Sequence, residues 1–196
     1  MQQRGTTVED RGDLHAALRR ATASRHRALD DALAFARTPL TRERYVAFLQ
    51  GSLRVLAVLE PALARWPGAG VEALRVASLR ADLRTLGRSC DAGHADVRGP
   101  ESLAEAFGAA YVVEGSALGG RVLAGVVQRA LGERTPTSYL RLRGGATHAH
   151  WQHWLARLQA FEADTHSHER ASTCTMACTT FDSYARSLAQ ESPVTA

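Results

Sequence analysis

The sequence predicts an all-α fold, a single-domain multi-helix bundle of six to eight helices. Three observations carry that reading. Apolar residues recur at helical spacing in one segment after another. No segment alternates as a half-buried strand would, and no hairpin signal occurs. Breaks such as "WPGAG" and "GERTPTSY" punctuate the periodic segments. The connections are short, which makes many neighbours antiparallel. No internal repeat of fixed period is present.

The elements follow in chain order. Residues 1–12 read as a flexible polar tail, and 13–190 as the helical domain. The first helix places Leu14, Leu18, Ala21, Leu29 and Leu33 on one stripe. The second opens after "RTPL" with Thr41 as N-cap and carries Tyr45, Phe48, Leu49, Leu53, Leu56 and Leu59. Pro61 is expected to end or bend it. The third runs from Val71 through Leu74, Ala77, Leu79, Leu83 and Leu86, and "GRSCDAGHADVRGP" is a loop. A long helix spans about 101–131. The next begins near Ala146 and buries Trp151, Trp154, Leu155, Leu158 and Phe161. "ADTHSHERAS" reads as a loose polar linker. The last helix aligns Cys174, Cys178, Phe181, Ala185 and Leu188.

Composition narrows the class. Of 196 residues, 45% are hydrophobic, enough for one core. No apolar run approaches the roughly 18–20 residues that span a bilayer, so no membrane association is expected. "MQQRGTTVEDRGD" lacks an apolar stretch, so no signal peptide is expected. Three cysteines make no disulfide framework and suit the reducing cytoplasm. The net charge of +4 comes wholly from arginine on the basic side, because the chain has no lysine. These arginines are dispersed, and no reading motif accompanies them, so nucleic acid is not an expected partner. A basic surface can instead steer acidic partners.

One stretch resists the helical reading. "YVVEGSALGGRVL" (111–123) carries Gly115, Gly119 and Gly120 in mid-helix. Each costs about 1 kcal/mol relative to alanine there. Gly115 and Gly119 are four apart and share a face, with Gly108, Tyr111, Val112, Leu118 and Val122 on or beside it. Three explanations stand at this point. Small residues let two helix backbones meet. They let a flat ligand lie against the backbone. Or they form a hinge.

Among eight histidines, His26 stands out. At about 100° per residue it lies about 80° from Leu18, on the flank of the apolar stripe. It is either a core histidine bonded to a carbonyl or a ligand aimed into a cavity. "THAHWQH" places His150 and His153 three apart, but no inward carboxylates accompany them. These read as surface or cap histidines. Cys174 and Cys178 read as core residues.

Together the two peculiar stretches resemble one family. "LRRATASRHRALDD" (18–31) is similar to the first helix of the haem oxygenases, where a histidine on a Thr-x-x-x-His frame is the proximal iron ligand. Thr22 and His26 match that frame, with Asp30 four residues on. "YVVEGSALGGRVL" resembles the distal helix, whose glycines let backbone lie over the haem. "RERYVAFL" and "HWQHWLARL" look like the second and a later core helix, so the resemblance covers roughly 13–160. It is nearest to the small bacterial enzymes that accompany bacteriophytochromes. Ser116 stands where the animal enzymes carry aspartate, as it does in bacterial members; this leaves the distal water network open.

The resemblance implies a fold with haem between the first helix and a glycine-bent distal helix. It implies His26 as iron ligand, Gly115, Gly119 and Gly120 against the ring, and Ser116 as a hydrogen-bond partner for distal water. Arg19, two turns before His26, is the first candidate for a haem propionate, and Arg157 the second. It implies haem b as cofactor and substrate, opened by O2 to biliverdin, carbon monoxide and ferrous iron. The electrons would come from an external donor, a ferredoxin or an NAD(P)H-dependent reductase. A bacteriophytochrome would be a possible recipient of the product. The alternative on the same fold is a carrier or sensor that binds haem without cleaving it. A thiamin-salvage hydrolase or di-iron oxidase would need inward carboxylates or a reactive cysteine. A plain interaction module would leave His26 and the glycines without a joint reason.

Overall fold

The computed structural model describes residues 13–33 and 39–191. The expected N-terminal tail and the start of "RTPL" lie outside them. Six α-helices follow in order: α1 Leu14–Leu33, α2 Arg42–Ala64, α3 Arg75–Thr85, α4 Leu103–Leu131, α5 Thr147–Ala163 and α6 Ser167–Glu191. Two 3-10 turns, Pro67–Ala69 and Gly144–Ala146, precede α3 and α5. No strand occurs among the described residues.

Capping starts two of the helices where the sequence alone indicates. The Thr41 hydroxyl accepts the Arg44 N–H at 3.2 Å, and Ser102 does the same for Glu105 at 3.2 Å. Leu14, Leu18, Leu49, Leu53, Leu56 and Leu59 are wholly buried and build the core of the bundle. Burying each such side chain is worth about 1.5–3 kcal/mol.

Helix α6 is the organising element, packed against α1, α2 and α4. Small residues make these crossings close. A Cβ on Gly108 of α4 would drive into the Thr173 carbonyl oxygen and lie 3.0 Å from Met176 Cβ. A Cβ on Gly51 of α2 would lie 2.8 Å from a Leu188 methyl. Gly108→Ala is therefore expected to cost about 1–3 kcal/mol, because rigid backbone must move. A thermal melt checks this, and an unchanged melting temperature would refute it.

Three boundaries differ from the sequence expectation. Helix α3 begins at Arg75, not Val71, where the Glu60 carboxylate of α2 accepts the N–H groups of Arg75 and Val76 at 2.7 and 3.1 Å. The polar "ADTHSHERAS" is a linker only over 164–166: α6 starts at Ser167, with the Glu169 carboxylate accepting the His166 N–H at 2.8 Å. Pro61 does not stop α2, which continues to Ala64. A proline this near the C-terminal end removes only one helical hydrogen bond.

Helices α2 and α4 do have the length and mean hydropathy of a membrane span, contrary to the expectation. Both carry a fully enclosed carboxylate, Glu60 and Glu114, each bonded to residues of other helices. That is the pattern of a helix built into a protein core.

Candidate functional site

Helices α1 and α4 meet at Tyr111. The Tyr111 hydroxyl bonds with Thr22 and lies in the field of Arg19. Burial pushes its pKa up, and these two contacts pull against that. The Thr22 hydroxyl itself donates to the Leu18 carbonyl at 2.8 Å. His15 meets Tyr111 and Trp151 edge-on, with ring centroids 6.1 and 6.0 Å away. Burial holds the His15 pKa below its usual value, Asp13 opposes the shift and Arg19 adds to it.

One turn beyond Thr22 stands His26. It is not a core histidine: its side chain is 62% exposed. Its Nδ1 sits 2.9 Å from the Asp30 carboxylate, and its ring lies 5.8 Å from Phe181 of α6 at a steep angle. A carboxylate at Nδ1 selects the tautomer that carries its proton there. The other nitrogen, Nε2, is left as the metal-binding lone pair.

One turn beyond Tyr111 begins the glycine stretch, and its three glycines divide. A Cβ on Gly115 would make ordinary contact with Trp151 at 3.7 Å. A Cβ on Gly119 would meet nothing within 4 Å. Leu118 is 40% exposed and Val122 70% exposed. Residues 115, 118, 119 and 122 share one helix face, so α4 presents an apolar, unfilled stripe to the outside. Helix α4 runs through this stretch without a break, so the hinge reading finds no support in its hydrogen bonding.

Gly120 has another task. Its Cβ would sit 2.5 Å from the Leu140 carbonyl oxygen, so it serves the packing of α4 on the segment that follows it. Its side of the helix is buried, away from the open stripe. The expected place of Gly120 against a ligand is corrected on this ground.

The other expected residues fall in different places. Ser116 is exposed, and its hydroxyl donates to the Val113 carbonyl at 2.8 Å. Arg19 is exposed beside Tyr111 and His15, at the crossing. Arg157 instead packs on the turn before α3. Its guanidinium meets His153 at 3.4 Å and the Pro67 carbonyl at 3.5 Å, and its stem covers Gly70. The structure does not bring it to His26.

One constellation escaped the sequence reading. His150 is not a surface histidine: its Nε2 lies 2.9 Å from Glu114, which is completely buried. Arg75 approaches the same carboxylate at 2.8 Å and Arg143 at 3.5 Å. The only sequence signal was a glutamate placed within an otherwise apolar helical run.

The geometry so far defines a class: an all-α bundle with an exposed, carboxylate-oriented histidine on one helix and a bare glycine face on another. No protein-family model matches the chain. A protein of Xanthomonas campestris pv. campestris (strain 8004) named "Heme oxygenase" is 40% identical to it over 93 residues, 44% of this chain and 54% of that protein. The match thus spans about half the length of that relative. The crystal structures of NO- and CO-bound heme oxygenase from Neisseria meningitidis superpose with a TM-score of 0.75 at 22% identity, over 91% of this chain and 92% of that one. The fold is the all-α fold of that heme oxygenase.

Proposed function

We propose that the chain is a haem oxygenase that opens haem to biliverdin, carbon monoxide and ferrous iron. One observation carries this most: beyond the α1–α4 crossing, His26 offers a single oriented nitrogen while α4 offers an apolar stripe with no side chain on Gly119. A planar ligand with its own four metal-binding nitrogens fits that pair. His26 would hold its metal, and the glycine face would receive the ring.

Haem would supply the redox-active iron that binds and activates O2. The protein residues do the rest. His26 Nε2 holds the iron, and Asp30 keeps the imidazole in the required tautomer. Gly115 and Gly119 would let the ring lie close to the α4 backbone. Ser116, as it stands, spends its proton on Val113 and can accept a hydrogen bond from water. To donate toward the ring it must first turn away from that carbonyl. Arg19, in whose field the Tyr111 hydroxyl lies, would pair with a propionate. The electrons come from an external ferredoxin or NAD(P)H-dependent reductase, for which a net charge of +4 favours an acidic donor. Supply of the product to a bacteriophytochrome rests on the resemblance of residues 18–31 and 111–123 alone.

The test is an optical titration with haem, followed by ascorbate or a ferredoxin system in air. A sharp Soret band giving way to biliverdin absorbance is the expected result. A stable Soret band without product would mean a carrier or sensor. No Soret change would overturn the haem reading. Asp30→Asn is expected to weaken iron ligation by about 10-fold, the lower end of what such outer partners contribute. The ferric haem dissociation constant checks it, and an unchanged value would remove Asp30 from the site.

A further inference from the structure

We propose that Glu114, gripped by Arg75, Arg143 and His150, is the anchor that sets how close the Gly115–Gly119 backbone lies to bound haem. The three basic residues and Glu114 are then positioning residues. This rests on the haem reading above for its consequence and on the buried cluster for its mechanism.

The cluster gathers separate parts of the chain. Arg75 opens α3, Arg143 lies in the segment before α5, and His150 lies in α5. All three converge on one oxygen, Glu114 Oε2, at 2.8, 3.5 and 2.9 Å. Arg75 is 2% exposed and Glu114 not at all. Arg143 is also paired with Glu72 at 2.8 Å, and the Arg75 backbone is held by Glu60 of α2. Three other helices, α2, α3 and α5, are thereby tied to the residue immediately before Gly115.

Physical chemistry gives this cluster a geometric role. Buried ion clusters cost several kcal/mol per charge in lost hydration, and well-packed apolar residues can match their stability. What they add is a demand for one arrangement. That demand falls where packing cannot act. The stripe 115, 118, 119 and 122 is half-buried at Gly115 and exposed beyond it, and among the described residues only the Trp151 ring lies against its glycines, at Gly115. The glycine segment must be located from its other sides, by Glu114 before it and by Gly120 against Leu140 after it.

The hold is one hydrogen bond, between His150 Nε2 and Glu114 Oε2, set within the charge of two arginines. Among the described residues, Glu114 Oε1 and Arg143 Nε have no hydrogen-bond partner, and Arg75 Nη2 lies close to the carboxylate but off the hydrogen-bond direction. Removing the Glu114 charge or the His150 hydrogen bond should therefore move the segment.

The test uses the full chain as wild type, His150→Leu, His150→Gln and Glu114→Gln. The glutamine amide nitrogen reaches where the imidazole Nε2 stood, so His150→Gln is the rescue variant. Amide hydrogen exchange at 115–120 is read without haem, and the C–O stretch and CO dissociation rate are read on the ferrous haem complex. His150→Leu and Glu114→Gln are expected to speed exchange at 115–120 and to change CO dissociation by about fivefold, with haem affinity nearly unchanged. His150→Gln is expected to restore both. Wild-type exchange and an unshifted C–O band in folded His150→Leu or Glu114→Gln would overturn the proposal. If His150→Leu fails to fold, Glu114→Gln decides by the same two readouts. If wild type takes up no haem, that failure belongs to the haem reading, and the exchange data still decide whether Glu114 is an anchor.

Discussion

His26→Ala is expected to abolish the haem–histidine spectrum and to cut turnover by about 100-fold or more, since even the outer partners of a metal-bound histidine are worth 10–100-fold. The fold should survive the change. His26 is mostly exposed, and its contacts are Asp30 and the edge of Phe181. Surface substitutions of that kind usually stay within about 0.5 kcal/mol of wild type. Some haem should still bind through the apolar stripe of α4 and the Arg19 side of the crossing. Free imidazole added to the variant is expected to restore part of the spectrum by filling the vacated ligand position. The measurement is the Soret position with and without imidazole, beside a melting curve. A wild-type Soret band and wild-type turnover in His26→Ala would remove this residue from the site.

Gly119→Leu is expected to push stability and ligand binding in opposite directions. A side chain at 119 enters open space, because its Cβ meets nothing within 4 Å. Leucine is also the better helix former by about 0.8–1 kcal/mol. The melting temperature should rise by about 2–4 °C, the shift that such a gain gives in a chain of this size. Haem uptake or CO binding should fall at least about tenfold, because an isobutyl group occupies the ceiling above the iron. Calorimetry and a CO titration read the two effects. A more stable protein with unchanged haem and CO binding would mean that the glycine face serves another purpose. Gly108 and Gly120 are the internal contrast. Both meet backbone carbonyls of neighbouring segments and owe their lack of a side chain to packing. One helix thus uses glycine for two unrelated reasons, and only Gly119 faces open space without a packing reason.

The resemblance read from 18–31 and 111–123 and the superposition with the Neisseria structure agree on the fold.

Much of this was legible in the chain itself because it is local. A 3.6-residue period needs no partner to be seen, so the long apolar helices and their order followed from spacing. Thr41 as N-cap is equally local, since its hydroxyl bonds three residues away. His26 with Asp30, one turn apart, and Gly115 with Gly119, one turn apart, are short-range patterns on single helices. What only the tertiary structure decided involves partners far apart in sequence. Glu60 sets the start of α3 from 15 residues away, and Leu140 claims Gly120 from the segment after α4. Arg157 is drawn to the Pro67 carbonyl, 90 residues distant. His150 looked like a surface residue because its partner, Glu114, lies 36 residues earlier in another helix. A charge can be buried only where others arrive to meet it, and which residues arrive is settled by helix packing.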